Sequence, residues 1–130
     1  MQFTPTGMIA PEGVVFYYEK DEKGIPYACI AITAVDDEAI HRGISLCSSK
    51  DNFSRKEARR RAYKRLRVAM QGETVEDVRR INTDRARLLV STNGAYYLTH
   101  SYTFPSEYEK RLLQNVTAKL QEQEVEQVPA

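Results

Sequence analysis

One segment of the sequence predicts an amphipathic helix with both of its ends marked. Ser54 and Glu57 have the spacing of a capping box, in which the two side chains satisfy the first free amides of a helix. Phe53 stands where a hydrophobic staple belongs, and Gly72 is placed to terminate the helix. Spacings of three or four residues predict a buried stripe, formed by Ala58, Ala62, Leu66 and Ala69. This helix therefore needs an apolar surface to pack against.

Runs of apolar residues predict five strands, three before this helix and two after it. The turn residues Asp21 to Gly24 are expected to join the first two strands in a hairpin. Asn93-Gly94 is a strong type I′ turn signal and is expected to join the last two. The five strands are predicted at residues 13–19, 26–35, 42–47, 87–91 and 95–103.

Two further helices complete the pattern. A short helix is predicted at residues 74–81, and Ser106 with Glu109 forms a second capping box. The helix that this box opens has a stripe of Tyr108, Leu112, Val116 and Leu120, and residues 121–130 are expected to fray. The order is β-β-β-α-(α)-β-β-α. The sequence thus predicts a single α+β domain over residues 1–130, an antiparallel β-sheet with helices packed on one face.

The positive charge of the chain is concentrated in the first helix. The net charge is +1, yet residues 55–67 contain eight basic residues and one acidic residue, so this segment carries +7 and the remainder −6. Arg55 and Lys56 occupy the first turn, where the helix dipole already places about half a positive charge. Free amides at a helix start suit a phosphate group. The pattern indicates a local anion site, which Arg55 and Arg59, one turn apart, could grip together.

Residues that carry catalysis or hold a cofactor are few. Cys29 and Cys47 lie in apolar runs and are expected to be buried thiols, not a disulfide or a zinc site. His41 and His100 lack neighbours at metal-ligating spacing, and the common nucleotide-fold and hydrolase motifs do not occur. We therefore expect no catalytic residue, no metal, no cofactor and no enzymatic activity. The chain has no apolar run of ~20 residues and no signal peptide, so we expect a cytoplasmic protein without membrane contact.

The stretch RGISLCSSKDNFSRKEARRRAYKRL, residues 42–66, resembles a group of small phage and prophage proteins. In them a strand ends in a Cys-Ser-x-Lys-Asp-x-Phe-Ser-Arg-Lys turn that leads into a basic helix. The chain resembles the first type of Thoeris anti-defence protein, although the glycine usual in the early helix of that family is Ala58 here. The resemblance implies a non-enzymatic sponge in the host cytoplasm. Such sponges form symmetric oligomers and sequester cyclic ADP-ribose isomers or, in some cases, cyclic oligonucleotides.

The residues and the resemblance together predict a site for a nucleotide-like, phosphate-bearing small molecule. The predicted ligand-binding residues are Ser49, Lys50, Phe53, Arg55, Lys56, Arg59, Tyr96 and Tyr102, the two tyrosines as platforms for a base. A homo-oligomer is expected, because small sheet proteins often pair or cover their exposed edges.

Two interpretations from other functional classes stay open. A basic helix also suits nucleic acid, but the negative remainder of the chain makes this partner less favoured. A phage inhibitor that acts by protein–protein contact is compatible with the sequence. A small nucleotide-directed enzyme ranks below both.

Overall fold

Four strands and three helices make up the described part of the chain. The computed structural model describes residues 13–47, 52–73, 76–81 and 84–115. The strands are β1 (Val15–Lys20), β2 (Pro26–Ala34), β3 (Ile40–Leu46) and β4 (Thr99–Thr103). The helices are α1 (Arg55–Met70), α2 (Asp84–Asn93) and α3 (residues 107–115), with a 3₁₀ turn at Val78–Arg80 before α2. The predicted α+β class is confirmed.

The strands form one antiparallel sheet in the order β1-β2-β3-β4. The predicted hairpin between β1 and β2 is confirmed. In its turn, Asp21 Oδ1 accepts hydrogen bonds from the backbone N–H groups of Lys23 at 2.9 Å and Ile25 at 3.0 Å. Gly24 supplies the left-handed backbone that the turn needs, with φ of 79°. Among the described strands, β1 and β4 are the two edges of the sheet.

The helices lie on both faces of the sheet, whereas the sequence analysis placed them on one. Phe16, Cys29 and Ala31 pack on α1, while the alternate residues Tyr17 and Ile30 pack on the other side. That second face is covered by α2 and α3, through Ala86, Leu89, Leu112 and Leu113. The physical reason lies in β2, where all of residues 27–32 are buried. A continuous apolar run is the pattern of a strand covered on both faces, and alternation is the pattern of a strand covered on one.

The strand predicted at residues 87–91 is wrong, because these residues lie in α2. Asn93-Gly94 therefore ends a helix and does not form a hairpin turn. Gly94 has φ of 75°, and its N–H donates to the carbonyl of Val90 at 3.0 Å, as at a left-handed helix terminus. A left-handed helix end and a type I′ hairpin turn both require a positive φ, so the Asn-Gly dipeptide alone does not distinguish them. The following strand begins at Thr99 instead of residue 95.

The two remaining helix predictions have different outcomes. Within the described residues, the short helix predicted at 74–81 is only the 3₁₀ turn. The second capping box is confirmed in full: Glu109 N–H donates to Ser106 Oγ at 3.1 Å, and Ser106 N–H donates to Glu109 Oε1 at 2.9 Å. Tyr108 is half exposed, at 52%, so it does not belong to a buried stripe. Val116, Leu120 and residues 121–130 lie outside the described residues.

Helix α1 lies against the sheet at backbone contact distance. Its predicted stripe of Ala58, Ala62, Leu66 and Ala69 is buried. At the start of the helix, Ser54 Oγ accepts a hydrogen bond from Glu57 N–H at 3.3 Å, and after its end Gly72 has φ of 89°. A Cβ placed on Gly43 of β3 would lie 2.2 Å from Leu66 N and 2.5 Å from Ala62 O. Ser45 Oγ adds a hydrogen bond of 2.8 Å to the carbonyl of Ala58. Gly43 thus allows the backbone of α1 to approach β3 closely, and Ser45 adds a contact nearer the start of the helix.

A buried ion pair holds α3 to the opposite face of the sheet. The Glu109 side chain is fully buried and accepts hydrogen bonds from Arg42 Nη2, from Arg42 Nε at 2.9 Å and from Tyr17 Oη at 2.8 Å. Burial raises the pKa of Glu109, but the hydrogen bonds and charge of Arg42 outweigh it and hold that pKa below its ordinary value. Burial and the neighbouring Glu109 raise the pKa of Tyr17, which keeps its hydroxyl a donor. Glu109 therefore serves as both helix cap and charge partner.

Candidate functional site

The start of α1 carries a cluster of two arginines and two aromatic rings, here called the Tyr18 cluster. The guanidinium of Arg55 lies over the Tyr18 ring, with its Cζ 4.8 Å from the centroid. Arg59 Nη1 donates to Tyr18 Oη at 2.8 Å. The Phe53 ring meets the Tyr18 ring edge-on, with centroids 5.8 Å apart. Each guanidinium uses only part of its five donors in these contacts, so both remain able to bind an anion.

A cleft of about 310 Å³ opens beside this cluster, at the end of β3. We call it the Phe53 cleft. Its volume lies at the lower end of the ~300–1,000 Å³ typical of small-molecule sites. Ser45, Leu46 and Cys47 form its strand side, and Phe53, Ser54, Ala58 and Arg61 its helix side, together with Asn52 and Glu57. Phe53 therefore belongs both to the Tyr18 cluster and to the wall of the cleft.

The electrostatics of this region favour an anion. Hydrogen bonds from Arg60 and Arg61 lower the pKa of Glu57 to about 2, so this carboxylate is ionised and already shared between two cations. No described carboxylate lies within ion-pair distance of Arg55 or Lys56. The helix dipole adds its positive end at the same turn. The start of α1 is thus a cationic surface beside a cleft.

The structure brings together some of the predicted site residues and separates others. Phe53, Arg55 and Arg59 meet in the Tyr18 cluster, and Lys56 is exposed on the same turn. Ser49 and Lys50 lie outside the described residues.

The two predicted tyrosines do not join this group. Tyr102 is in β4, and Tyr96 lies shortly before that strand. Tyr18, by contrast, is in β1, at the other edge of the sheet. Four strands at roughly 4.8 Å spacing put about 14 Å between these edges. Tyr96 and Tyr102 are 47% and 59% exposed.

One helix residue that lines the Phe53 cleft, Arg61, is not among the predicted ligand-binding residues. The available signal was its spacing of four residues from Glu57, since residues four apart share one side of a helix. Cys47 was expected to be buried but is half-buried and lines the same cleft.

Two titratable groups outside the cleft, Cys29 and His100, are held neutral by their surroundings. Burial raises the pKa of Cys29 to about 12, so it is a thiol in the core. Burial, with the charge of Arg42, lowers the pKa of His100 to about 4. Among the described residues, no group of three or more His, Cys, Asp or Glu side chains could hold a metal ion. None of the described helices is both long enough and apolar enough to cross a membrane.

No protein-family model, no curated protein and no solved structure matches this chain.

Proposed function

We propose that the protein binds a nucleotide-like, phosphate-bearing small molecule at the start of α1 and sequesters it without catalysis. The observation that supports this proposal best is the Phe53 cleft beside a helix turn with two cations, Arg55 and Lys56, that no described carboxylate neutralises. Amides at a helix start, arginine donors and a positive dipole are the features that recur in phosphate sites. The apolar side of the cleft, at Phe53 and Ala58, suits a sugar or a base.

The resemblance of residues 42–66 supplies the biological setting of this proposal. A phage protein of the Thoeris anti-defence type would capture a cyclic ADP-ribose isomer or a cyclic oligonucleotide in the cytoplasm of the host. A protein of that kind needs a site that recognises phosphate and has no need of a nucleophile. The cationic turn and its cleft support the first requirement.

Removing the two cations of the first turn is expected to abolish ligand binding. Charge-assisted hydrogen bonds contribute about 1.5–3 kcal/mol each, so Arg55→Ala with Lys56→Ala should weaken binding by roughly a hundredfold or more. The control is Lys64→Ala with Arg67→Ala, which removes the same charge from exposed positions farther along α1. ADP-ribose, cyclic ADP-ribose and cyclic dinucleotides are the ligands to use, with thermal shift and calorimetry as the measurements.

Two outcomes would contradict the proposal. One is that none of these nucleotides binds the native protein. The other is tight binding of duplex or single-stranded nucleic acid that falls steeply with salt and weakens equally in both double variants. The second result would establish the nucleic-acid alternative, in which the whole length of α1 contacts a polyanion.

The expected homo-oligomer belongs to the same proposal, and we place its interface at the edge strand β4. Residues 99–104 contain no lysine, arginine, aspartate or glutamate, so this edge lacks the charges that usually prevent pairing. Tyr102 and Phe104 are 59% and 71% exposed. The opposite edge differs, because β1 carries the charged residues Glu19 and Lys20. An uncharged aromatic edge suits the same edge of a second copy.

Light scattering at tens of micromolar should therefore give a dimer or larger oligomer. The double substitution Tyr102→Lys with Phe104→Lys should produce monomers, since like charges would then face each other across the interface. Val35→Lys, at an exposed apolar residue elsewhere, is the control and should leave the oligomer intact. A monomeric native protein would contradict this part of the proposal.

A further inference from the structure

A second cleft lies farther along α1 and shares part of its lining with the Phe53 cleft. Its volume is about 200 Å³, and we call it the Arg65 cleft. This is below the ~300–1,000 Å³ of sites for drug-sized ligands, so a ligand held in this cleft alone would be a small metabolite. The residues that distinguish it from the Phe53 cleft are Arg65, Glu76, Ile81, Arg85 and Leu98.

Two of the three arginines that line the Arg65 cleft already have carboxylate partners. Arg61 Nε donates to Glu57 Oε1 at 3.0 Å. Arg85 Nη1 donates to Asp21 Oδ2 at 3.2 Å, and both of these side chains are largely buried. These two pairs balance their own charges, so neither arginine requires a ligand.

Arg65 is different, because its charge lacks a close anionic partner. The residue is half-buried, and Nη1 donates to a neutral acceptor, the carbonyl of Ile44, at 2.8 Å. Burial lowers the pKa of Arg65, and the charge of Glu76, in the same cleft, opposes this only in part. Among the described residues, no carboxylate lies within ion-pair distance of Arg65. A ligand carboxylate would supply the missing partner, since guanidinium binds carboxylate with two parallel hydrogen bonds.

A chain of hydrogen bonds positions Arg65 and Glu76 at the cleft. The carbonyl of Ile44, in β3, accepts from the Arg65 side chain, and its N–H donates to the carbonyl of Leu98 at 2.8 Å. Leu98 N–H in turn donates to the carbonyl of Glu76 at 3.2 Å. Both charged residues are thus anchored to β3, Arg65 through its side chain and Glu76 through its backbone. A small ligand with one negative and one positive group would neutralise both.

We propose that the Arg65 cleft is a second ligand site, which binds an aliphatic α-amino acid as its zwitterion. The ligand carboxylate accepts hydrogen bonds from Arg65, and the ligand ammonium donates to the carboxylate of Glu76. The aliphatic side chain packs on Ile81 and Leu98, the apolar part of the lining. This site goes beyond the proposed function, because it needs no phosphate and does not use the first turn of α1.

The test compares L-leucine with two analogues that each keep one of its charges. Isoamylamine has the ammonium and isocaproate has the carboxylate, on the same branched carbon chain. Calorimetry on the native protein should show L-leucine binding about tenfold or more tightly than either analogue, because each analogue lacks one charge-assisted contact.

Two substitutions should change this preference in different ways. In Arg65→Met, L-leucine should bind no more tightly than isoamylamine, whose own affinity should be retained. In Glu76→Asn, L-leucine should bind no more tightly than isocaproate, whose affinity should also be retained. Asparagine tolerates the φ of 60° at this position. The retained analogue shows in each case that the cleft is still folded. Lys64→Met, at an exposed neighbour, should change these affinities by no more than about twofold.

Three results would overturn the amino-acid site. They are no binding of L-leucine by the native protein, equal affinity for L-leucine and either analogue, and a preference that survives either substitution. Loss of nucleotide binding in Arg65→Met, with no binding of L-leucine, would assign the cleft to the nucleotide site instead.

The proposed function is tested separately by the double variant Arg55→Ala with Lys56→Ala. This variant should lose nucleotide binding and keep the native affinity for L-leucine. Binding of L-leucine by a native protein that binds no nucleotide would overturn the proposed function and support the amino-acid site.

Discussion

Replacing Glu109 by alanine is expected to lower the free energy of unfolding by about 3–5 kcal/mol, a large fraction of the total for a small domain. The substitution leaves the Arg42 guanidinium buried without its charge partner and removes the acceptor of Tyr17 Oη. It also removes one half of the α3 capping box, the hydrogen bond from Ser106 N–H to the Glu109 carboxylate. The measurement is chemical denaturation followed by far-UV circular dichroism.

A control for this substitution lies two residues away on the same helix. Glu107 pairs with Lys110 at 3.1 Å, but its side chain is 78% exposed, so Glu107→Ala should cost no more than about 0.5 kcal/mol. Adding Arg42→Met to Glu109→Ala should recover part of the loss, because a buried unpaired charge is replaced by an apolar side chain. Equal losses for Glu107→Ala and Glu109→Ala would show that the buried pair does not hold α3.

Gly43→Ala is expected to destabilise the fold by about 3 kcal/mol or more, at or above the upper end for overpacking. The added methyl group would meet backbone atoms of α1, at Leu66 and Ala62, and backbone does not rotate aside as a side chain does. Helix α1 must then move away from β3. Because α1 also forms one side of the Phe53 cleft, ligand affinity should fall in the fraction that stays folded.

Gly24→Ala provides the matched control for the Gly43 variant. It adds the same methyl group where no atom lies within 4 Å, so its cost comes only from the positive φ of 79°, about 1 kcal/mol. Alanine usually improves a strand position relative to glycine. A stabilised Gly43→Ala protein would therefore show that α1 does not approach β3 this closely. Urea denaturation of both variants measures the difference.

Local chemistry made much of the fold predictable from the sequence. The helix cap at Ser54, the capping box at Ser106 and the stripe of α1 depend on residues within a few positions of one another, although the Glu57 carboxylate pairs with Arg60 and Arg61 and does not complete a box at Ser54. The features of the fold that were not predicted have two physical causes. Asn93-Gly94 supplies a positive φ that serves a helix end as well as a hairpin. The Arg42–Glu109 pair joins segments that are distant in the sequence, so no local sequence pattern predicts it.

The candidate site was predictable in its charge and not in its contacts. The excess of cations in α1 located a positive surface correctly, because charge is a property of composition. From the sequence, the helix dipole predicts that removing Arg55 and Arg59 leaves stability unchanged or slightly higher. The structure adds contacts of both arginines with Tyr18, which oppose that gain. Arg61 and Arg65 belong to the clefts only because α1 lies beside the end of β3.

The two roles of Glu109 make the initiation of α3 and its docking a single event. Its carboxylate caps the helix at Ser106 and neutralises Arg42, a residue 67 positions earlier in the chain. The sheet without α3 would leave Arg42 without its charge partner, and α3 without the sheet would lose its tertiary contacts. Detachment of α3 from the sheet is therefore unfavourable both for the sheet and for the helix. We expect the amides of α3 to exchange with solvent through the same global opening as those of β3, and not through local fraying.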